Sequence, residues 1–235
     1  MHIRTNSFIE WSIFMHGSYE PEIEATIRTR VKEGMTCLDI GANVGVNTLL
    51  LAFACGSTGK VLAFEPRDDL FRRLQANCKL NVLTNVTANC FAVSESSGKV
   101  SFFTEDSSHC NKGGGSLVAM PIHGITEKIT IQKHNAAEEP VLTELKACDF
   151  IKIDTEGHDA IVLRSLRGLI EKFRPTVVLE YSPEHWMSHQ SQFEDVPKIL
   201  KPGTYKLHAI PHLEREITYS IRPQGGFNIL AIPRT

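Results

Sequence analysis

Asp39, Glu65, Asp154 and Glu180 share a setting in which side chains can do chemistry. Each carboxylate lies at or beside the carboxyl end of a short apolar run: TCLDI, KVLAFE, DFIKID and PTVVLE. Apolar runs of four or five residues bounded by Gly, Pro or charge read as buried strands. A polar group at the end of such a strand faces the crevice where open α/β sheets bind ligands. His158 follows Asp154 by four residues. Asp154, His158 and Glu180 are therefore the candidates for taking a proton from an acceptor. Each also has a plain structural role open to it. Asp154 could cap the following helix, Glu156 and Asp159 could favour its N-terminus, and His158 could be a surface residue.

The first of these runs continues as TCLDIGANVGVNTLLLAFAC, Thr36 to Cys55. It reads as a strand, a turn with Gly41 and Gly45, and a helix from Val46 ending near Gly56. A strand, a glycine turn and a helix N-terminus make a nucleotide-binding crevice. A dinucleotide fingerprint needs a glycine where this chain has Asn43, and an anion-binding loop would not place Asp39 just before the turn. S-adenosylmethionine, whose ammonium and sulfonium are cationic, suits that carboxylate. Glu65, 20 residues after Gly45, is placed to accept both ribose hydroxyls. An ordinary strand-to-helix turn with a capping Asn is the alternative.

These positions require elements to hold them. Residues 1–15 are apolar without a clean period and read either as a strand or as a cap over the site. A helix follows over Glu22–Glu33, with Pro21 early and Ile23, Ile27 and Val31 on one face. Asp68–Leu80 reads as a helix and Asn85–Val93 as a third strand whose end faces the adenine. Gly98–Thr104 reads as an added antiparallel strand. Residues 105–128, with His109, Gly113 to Gly115 and His123, read as a flexible substrate loop or a surface excursion. Ile129–Gln132 is a short strand and Ala136–Lys146 a linker with a helical turn. A helix runs from Asp159 to Lys172 and another over Phe193–Leu200. Tyr205–Ala209 and Phe227–Ile232 close the chain as an antiparallel hairpin. Strand followed by helix, repeatedly, is a doubly wound α/β sheet.

The 235 residues suffice for a single domain, 1–235, with 1–33 as an N-terminal cap segment. A hydrophobic content of 42%, a charged content of 22% and a net charge of −2 give no reason to expect nucleic acid or an acidic membrane surface. The longest apolar run, Leu49–Cys55, is too short to span a bilayer. Six scattered cysteines without a C-x-x-C pair argue against a zinc site or a disulfide framework. With no secretory layout at the N-terminus, the expected location is cytoplasmic.

LDIGANVG, FEP, IKIDTEGHD and RPTVVLE, with Tyr19-Glu20-Pro21-Glu22 ahead of them, resemble the FkbM-type family of S-adenosylmethionine-dependent methyltransferases from about Tyr19 to Glu180. The resemblance implies a Rossmann-like seven-stranded methyltransferase sheet, mostly parallel, with its last two strands as a hairpin. It implies methyl transfer, usually to oxygen, with a small molecule or glycan as acceptor. Asp39, Gly41, Asn43 and Gly45 would hold the methionine end, with Asn47 and Thr48 adding contacts to its carboxylate. Glu65 would take the ribose, Ala92 would lie at the adenine, and Asp154 would flank the amino group and the substrate. His158 and Asp159 depart from the family pattern, and the chain starts close to the first shared motif, which implies reduced capping structure. Asp154 and Glu180 could share a magnesium ion, but with no recognisable third ligand the reading assigns no metal. A non-catalytic cofactor-binding scaffold or regulator, or an NAD-dependent oxidoreductase, are the competing readings. The acceptor and the oligomeric state are not specified by these residues.

Overall fold

The chain enters through two helices, Phe8–His16 (α1) and Pro21–Arg30 (α2). The first settles the segment that showed no period. In α1 the polar residues Glu10 and Ser12 are buried while Phe8, Trp11, Phe14 and Met15 are exposed. Only Ile9 and Ile13 of its apolar residues are half-buried, so no continuous core-facing stripe exists to be read. Glu10 is held by a bidentate ion pair with Arg73. Helix α2 opens at Pro21 and buries Ile23 and Ile27 as its pattern predicts, but it ends at Arg30, short of the expected Glu33, and the buried Val31 is already extended.

The computed structural model describes residues 1–3, 7–105, 115–117, 126–211, 216–217 and 225–234. Next come Thr36–Ile40 (β1), Val46–Cys55 (α3), Lys60–Phe64 (β2), Asp68–Leu80 (α4) and Val86–Asn89 (β3). Four strands of a second sheet follow: Ala92–Ser94 (β4), Gly98–Glu105 (β5), Gly115–Ser116 (β6) and Thr126–Asn135 (β7). Then come Pro140–Thr143 (α5), Phe150–Ile153 (β8), Asp159–Ser165 (α6), Arg167–Phe173 (α7), Thr176–Tyr181 (β9) and Pro183–Ser188 (α8). A 3-10 turn leads into Val196–Ile199 (α9), and Tyr205–Ile210 (β10) and Phe227–Pro233 (β11) end the fold.

Among the described residues the main sheet has seven strands in the order β10-β11-β9-β8-β1-β2-β3. Strands β9, β8, β1, β2 and β3 pair in parallel, while β11 runs antiparallel to both β9 and β10. This is the expected sheet with its antiparallel C-terminal pair. Both faces are covered, which is why β1 reads as an unbroken apolar run. Leu38 and Ile40 join a core with Leu163 and Ile170 on one side, and Cys37 joins Ile23, Ile27 and Leu51 on the other. Each such side chain taken from water contributes roughly 2 kcal/mol.

Several elements differ from the sequence reading. The expected third strand is two strands in different sheets. β3 ends at Asn89 beside Phe64, the chain turns at Cys90 and Phe91, and β4 pairs with β7 instead. The small sheet, β4-β7-β5-β6, holds the expected antiparallel strand over Gly98–Thr104 and the short strand over Ile129–Gln132. Within it β7 spans ten residues rather than four, because β5 pairs with residues 126–133 and β4 with Lys133 to Asn135. Residues 126–128 of the expected 105–128 loop are therefore strand, and Gly115–Ser116 pairs with β5. The rest of that loop lies outside the described residues, apart from Glu105 and Leu117. The helix expected over Asp159–Lys172 breaks at Leu166 into α6 and α7, and α8 was not anticipated.

Candidate active site

The glycine turn after β1 is shaped by backbone contact. Gly41 has φ +84°, and a Cβ placed on it would lie 1.7 Å from the Asp154 carbonyl oxygen. Only a glycine lets the turn after β1 and the segment after β8 meet at this distance. The N–H groups of Gly41 and Ala42 both donate to the Phe64 carbonyl at 3.0 Å, which ties the turn to the end of β2. Asn43 takes the left-handed conformation, φ +52°, that an Asn tolerates. Gly45, φ +94°, packs against Leu74 of α4, whose Cδ1 would sit 2.6 Å from an added Cβ.

A cleft with about 1100 Å³ of empty space, including its open mouth, lies at the carboxyl ends of β1, β2, β8 and β9. Glu65 forms part of its wall and is 5% exposed. Its two oxygens accept the N–H groups of Asn43 (2.8 Å) and Arg67 (2.9 Å). Burial pushes its carboxyl up to about 7, against the pull of those two N–H groups and the Arg67 guanidinium. Each oxygen keeps a lone pair for a further donor. Nearby, Ala92 follows Phe91, whose ring stacks on His134 (4.0 Å) and meets Phe64 edge-on (5.4 Å).

At the middle of the cleft stands Lys152, 3% exposed on β8. Burial alone would lower its pKa, but the carboxylates of Asp154, Asp39 and Glu20 outweigh this and raise it. Nζ donates to Asp154 Oδ2 at 2.8 Å. Asp39, its cross-strand partner on β1, is fully buried and accepts the Thr48 hydroxyl at 2.5 Å. Burial first and Asp154 second raise the Asp39 carboxyl, while Lys152 and Thr48 oppose them.

Beyond Lys152 the cleft is acidic, with Tyr19, Glu20, Asp154, Glu156 and Glu180 in its wall. Glu180 rises to about 9, mainly through burial, then through Asp154, Asp159 and Glu156. Asp159, itself pushed to about 6 by burial, holds the loop before α6 by accepting from Thr155 and Gly157 N–H at 2.7 and 3.0 Å. It braces this loop instead of facing the cleft. His158 is buried, with Ser94 Oγ 3.1 Å from Nε2, and burial lowers its pKa to about 3. It is neutral at ordinary pH and weakly basic.

Of the residues singled out in the sequence, Gly41, Asn43, Asn47, Glu65, Ala92, Asp154, His158 and Glu180 line one cleft. Asp39, Gly45 and Thr48 stand behind its wall, and the polar group that reaches the cleft from the Asp39–Lys152 pair is the lysine. Lys152 went unassigned. Its signal was a lone charge inside FIKI, where a buried cation demands partners. Tyr19 and Glu20 were seen as part of a motif without being given a role. Among the described residues no group of three or more His, Cys, Asp or Glu is placed to hold a metal ion, and no helix is long and apolar enough to cross a membrane.

This strand order, with polar groups converging at the ends of the parallel strands, defines a doubly wound, Rossmann-like α/β fold. Residues 39–207 match the model of the methyltransferase FkbM domain, and the chain belongs to that family. Hexuronic acid methyltransferase AglP of Haloferax volcanii is 24% identical over 165 residues, 68% of this chain and 61% of that protein. The chain thus matches under two thirds of this relative's length. Among solved structures, FkbM methyltransferase from Methylobacillus flagellatus superposes with a TM-score of 0.54 at 16% identity, over 95% of this chain and 54% of that one. A Streptococcus mutans protein solved in complex with S-adenosylhomocysteine gives 0.53 at 8% identity, covering 90% and 96%. A Thermotoga maritima S-adenosylmethionine-dependent O-methyltransferase gives 0.50 at 15%, covering 97% and 72%.

Proposed function

We propose that the protein transfers the methyl group of S-adenosylmethionine to a hydroxyl oxygen of a sugar-containing acceptor. The observation that carries this is a single cleft running from Glu65 past Gly41, Asn43 and Asn47 to Asp154 and Glu180. The cleft suits such a cofactor because Glu65 retains acceptor capacity and because Glu20 Oε2, Glu180 Oε2 and His158 Nδ1 are buried without partners. Glu65 would accept the ribose hydroxyls, Ala92 would lie at the adenine, and Gly41, Asn43 and Asn47 would hold the methionine end. Asp39 acts from behind, fixing Lys152 and the turn. When bound, the cofactor supplies an activated methyl group on a sulfonium.

The protein's own task is alignment, exclusion of water and removal of one proton. Asp154, anchored by Lys152, is the residue we assign to the acceptor hydroxyl. Glu180, protonated at neutral pH, can donate a hydrogen bond to the acceptor, and neutral His158 can accept or donate one. The sugar comes from the name of AglP, which is a statement about that protein. Labelled methyl transfer from S-adenosylmethionine to a panel of glycosides tests the reading. Asp154→Asn is expected to stay folded and lose at least about 100-fold in rate. Near-normal turnover by that variant would leave Asp154 only a structural role.

A further inference from the structure

Lys152 is one buried cation facing three carboxylates. Asp39 is its partner across the strand pair, Asp154 accepts Nζ at 2.8 Å, and Glu20 comes from the segment ahead of β1. Of the three, Glu20 is the one open to a ligand. Asp39 is fully buried behind the wall, and Lys152 occupies Oδ2 of Asp154. Glu20 lines the cleft itself, and its Oε2 is buried with no hydrogen-bond partner. Nor is its carboxyl spent on the fold, since Glu20 precedes α2 at the N-cap position and makes no side-chain cap bond. A second observation places it at one end of the cofactor. The side-chain amides of Asn47 and Asn228 reach its carboxyl, and Asn47, on the first turn of α3, is one of the residues that would hold the methionine end. We infer that Glu20 takes the ammonium of S-adenosylmethionine, so that the segment ahead of β1 completes the cofactor site and Asp154 is left to the acceptor.

Charge balance asks for such a ligand. One lysine cannot neutralise three carboxylates, and a buried carboxylate without a cation or a proton is costly. Burial raises the Glu20 carboxyl; Lys152 opposes this, Asp154 adds to it, and Asn47 and Asn228 pull it back. An ammonium beside it would act in the same sense as Lys152 and favour the charged form. The other acids of the wall suit a cation less. Glu180 sits at about 9 and is protonated at neutral pH. Glu156 keeps 44% of its side chain exposed, where water and salt weaken a charge pair. Glu65 binds two backbone N–H groups at the end given to the ribose.

This inference rests on the methyl-transfer reading, and a binding experiment separates the two. Calorimetry at neutral pH compares three ligands: S-adenosylhomocysteine, its analogue with hydrogen in place of the amino group, and methylthioadenosine, which lacks the amino-acid end. The wild type is expected to bind S-adenosylhomocysteine at least about tenfold more tightly than the deaminated analogue. Glu20→Gln, which keeps the shape and removes the charge, is expected to abolish most of that preference. The same variant should change methylthioadenosine affinity by less than about twofold, since that ligand does not reach residue 20. Equal binding of the amino and deaminated ligands by the wild type overturns the inference, whether or not the variant folds. A preference that survives Glu20→Gln overturns it too, as does an equal loss for all three ligands, which would leave Glu20 a structural role. Failure of S-adenosylhomocysteine to bind the wild type overturns the functional reading on which the inference stands.

Discussion

Glu65 offers a test that couples cofactor binding to proton release. In the free protein its carboxyl sits at about 7, raised chiefly by burial. Ribose hydroxyls donating to it would favour the ionised form and return it toward the ordinary value near 4.3. At pH 6.5 a group of pKa 7 is mostly protonated, so binding S-adenosylhomocysteine should release about 0.7 of a proton. Titration calorimetry in two buffers of different ionisation enthalpy measures this number directly. Between pH 5 and 7 the affinity should rise with pH, approaching about tenfold per unit. Glu65→Gln keeps the shape and cannot titrate, so the release assigned to this site should vanish, whatever Glu180 or Asp159 contributes. Affinity should also fall, by about 2–4 kcal/mol for two lost charge-assisted hydrogen bonds. Proton uptake in the wild type, or the same release in Glu65→Gln, would refute the assignment of Glu65 to the ribose.

Gly41→Ala should be among the most damaging small changes, since its Cβ would enter the Asp154 carbonyl. We expect loss of soluble folded protein or a destabilisation above about 3 kcal/mol by chemical unfolding; a drop within about 0.5 kcal/mol would show that the turn can open. Lys152→Met leaves Asp39, Asp154 and Glu20 without their cation and should cost about 3–5 kcal/mol, with Asp39→Asn recovering part of it in the double variant. His158 is held neutral, its pKa depressed to about 3, so the unfolded chain binds the extra proton between pH 3 and 6.5. Stability owed to this residue is complete above pH 6.5 and falls as pH drops through that window, and His158→Gln should flatten the fall in a series of melting curves.

The organising motif was legible because its physics is local. An apolar run, Gly41, Gly45 and the apolar face after Val46 dictate strand, turn and helix within twenty residues. Glu65 and Asp154 were legible for a related reason, since strand ends in a doubly wound sheet share one edge. What stayed hidden depends on distant partners. Lys152 is explained by Asp39, Asp154 and Glu20, which come from three separate parts of the chain. The small sheet exists because β5 finds β7 across residues 106–125, and neither strand's sequence states that register. Helix α8, six residues of PEHWMS, is short enough that packing of Trp186 under Tyr181 decides it more than propensity does. Gly41 was read as serving a cofactor, and its immediate constraint turned out to be the neighbouring backbone.

The inverted burial of α1 has a consequence for how the protein breathes. Most of the fold is held by apolar surface, whose release is resisted uniformly and responds steeply to denaturant. Helix α1 carries the buried Glu10–Arg73 pair and the Phe8–Tyr19 ring contact, with four large apolar side chains exposed. Detaching it would expose less apolar area than unfolding the sheet, so its amides should exchange with solvent through a local opening that urea accelerates only weakly. The sheet amides should follow global unfolding instead. Because Ile9 of α1 stands in the wall of the cleft, that opening should also widen the cleft, and Arg73→Ala, which removes the partner of Glu10, should shorten the residence time of whatever is bound inside.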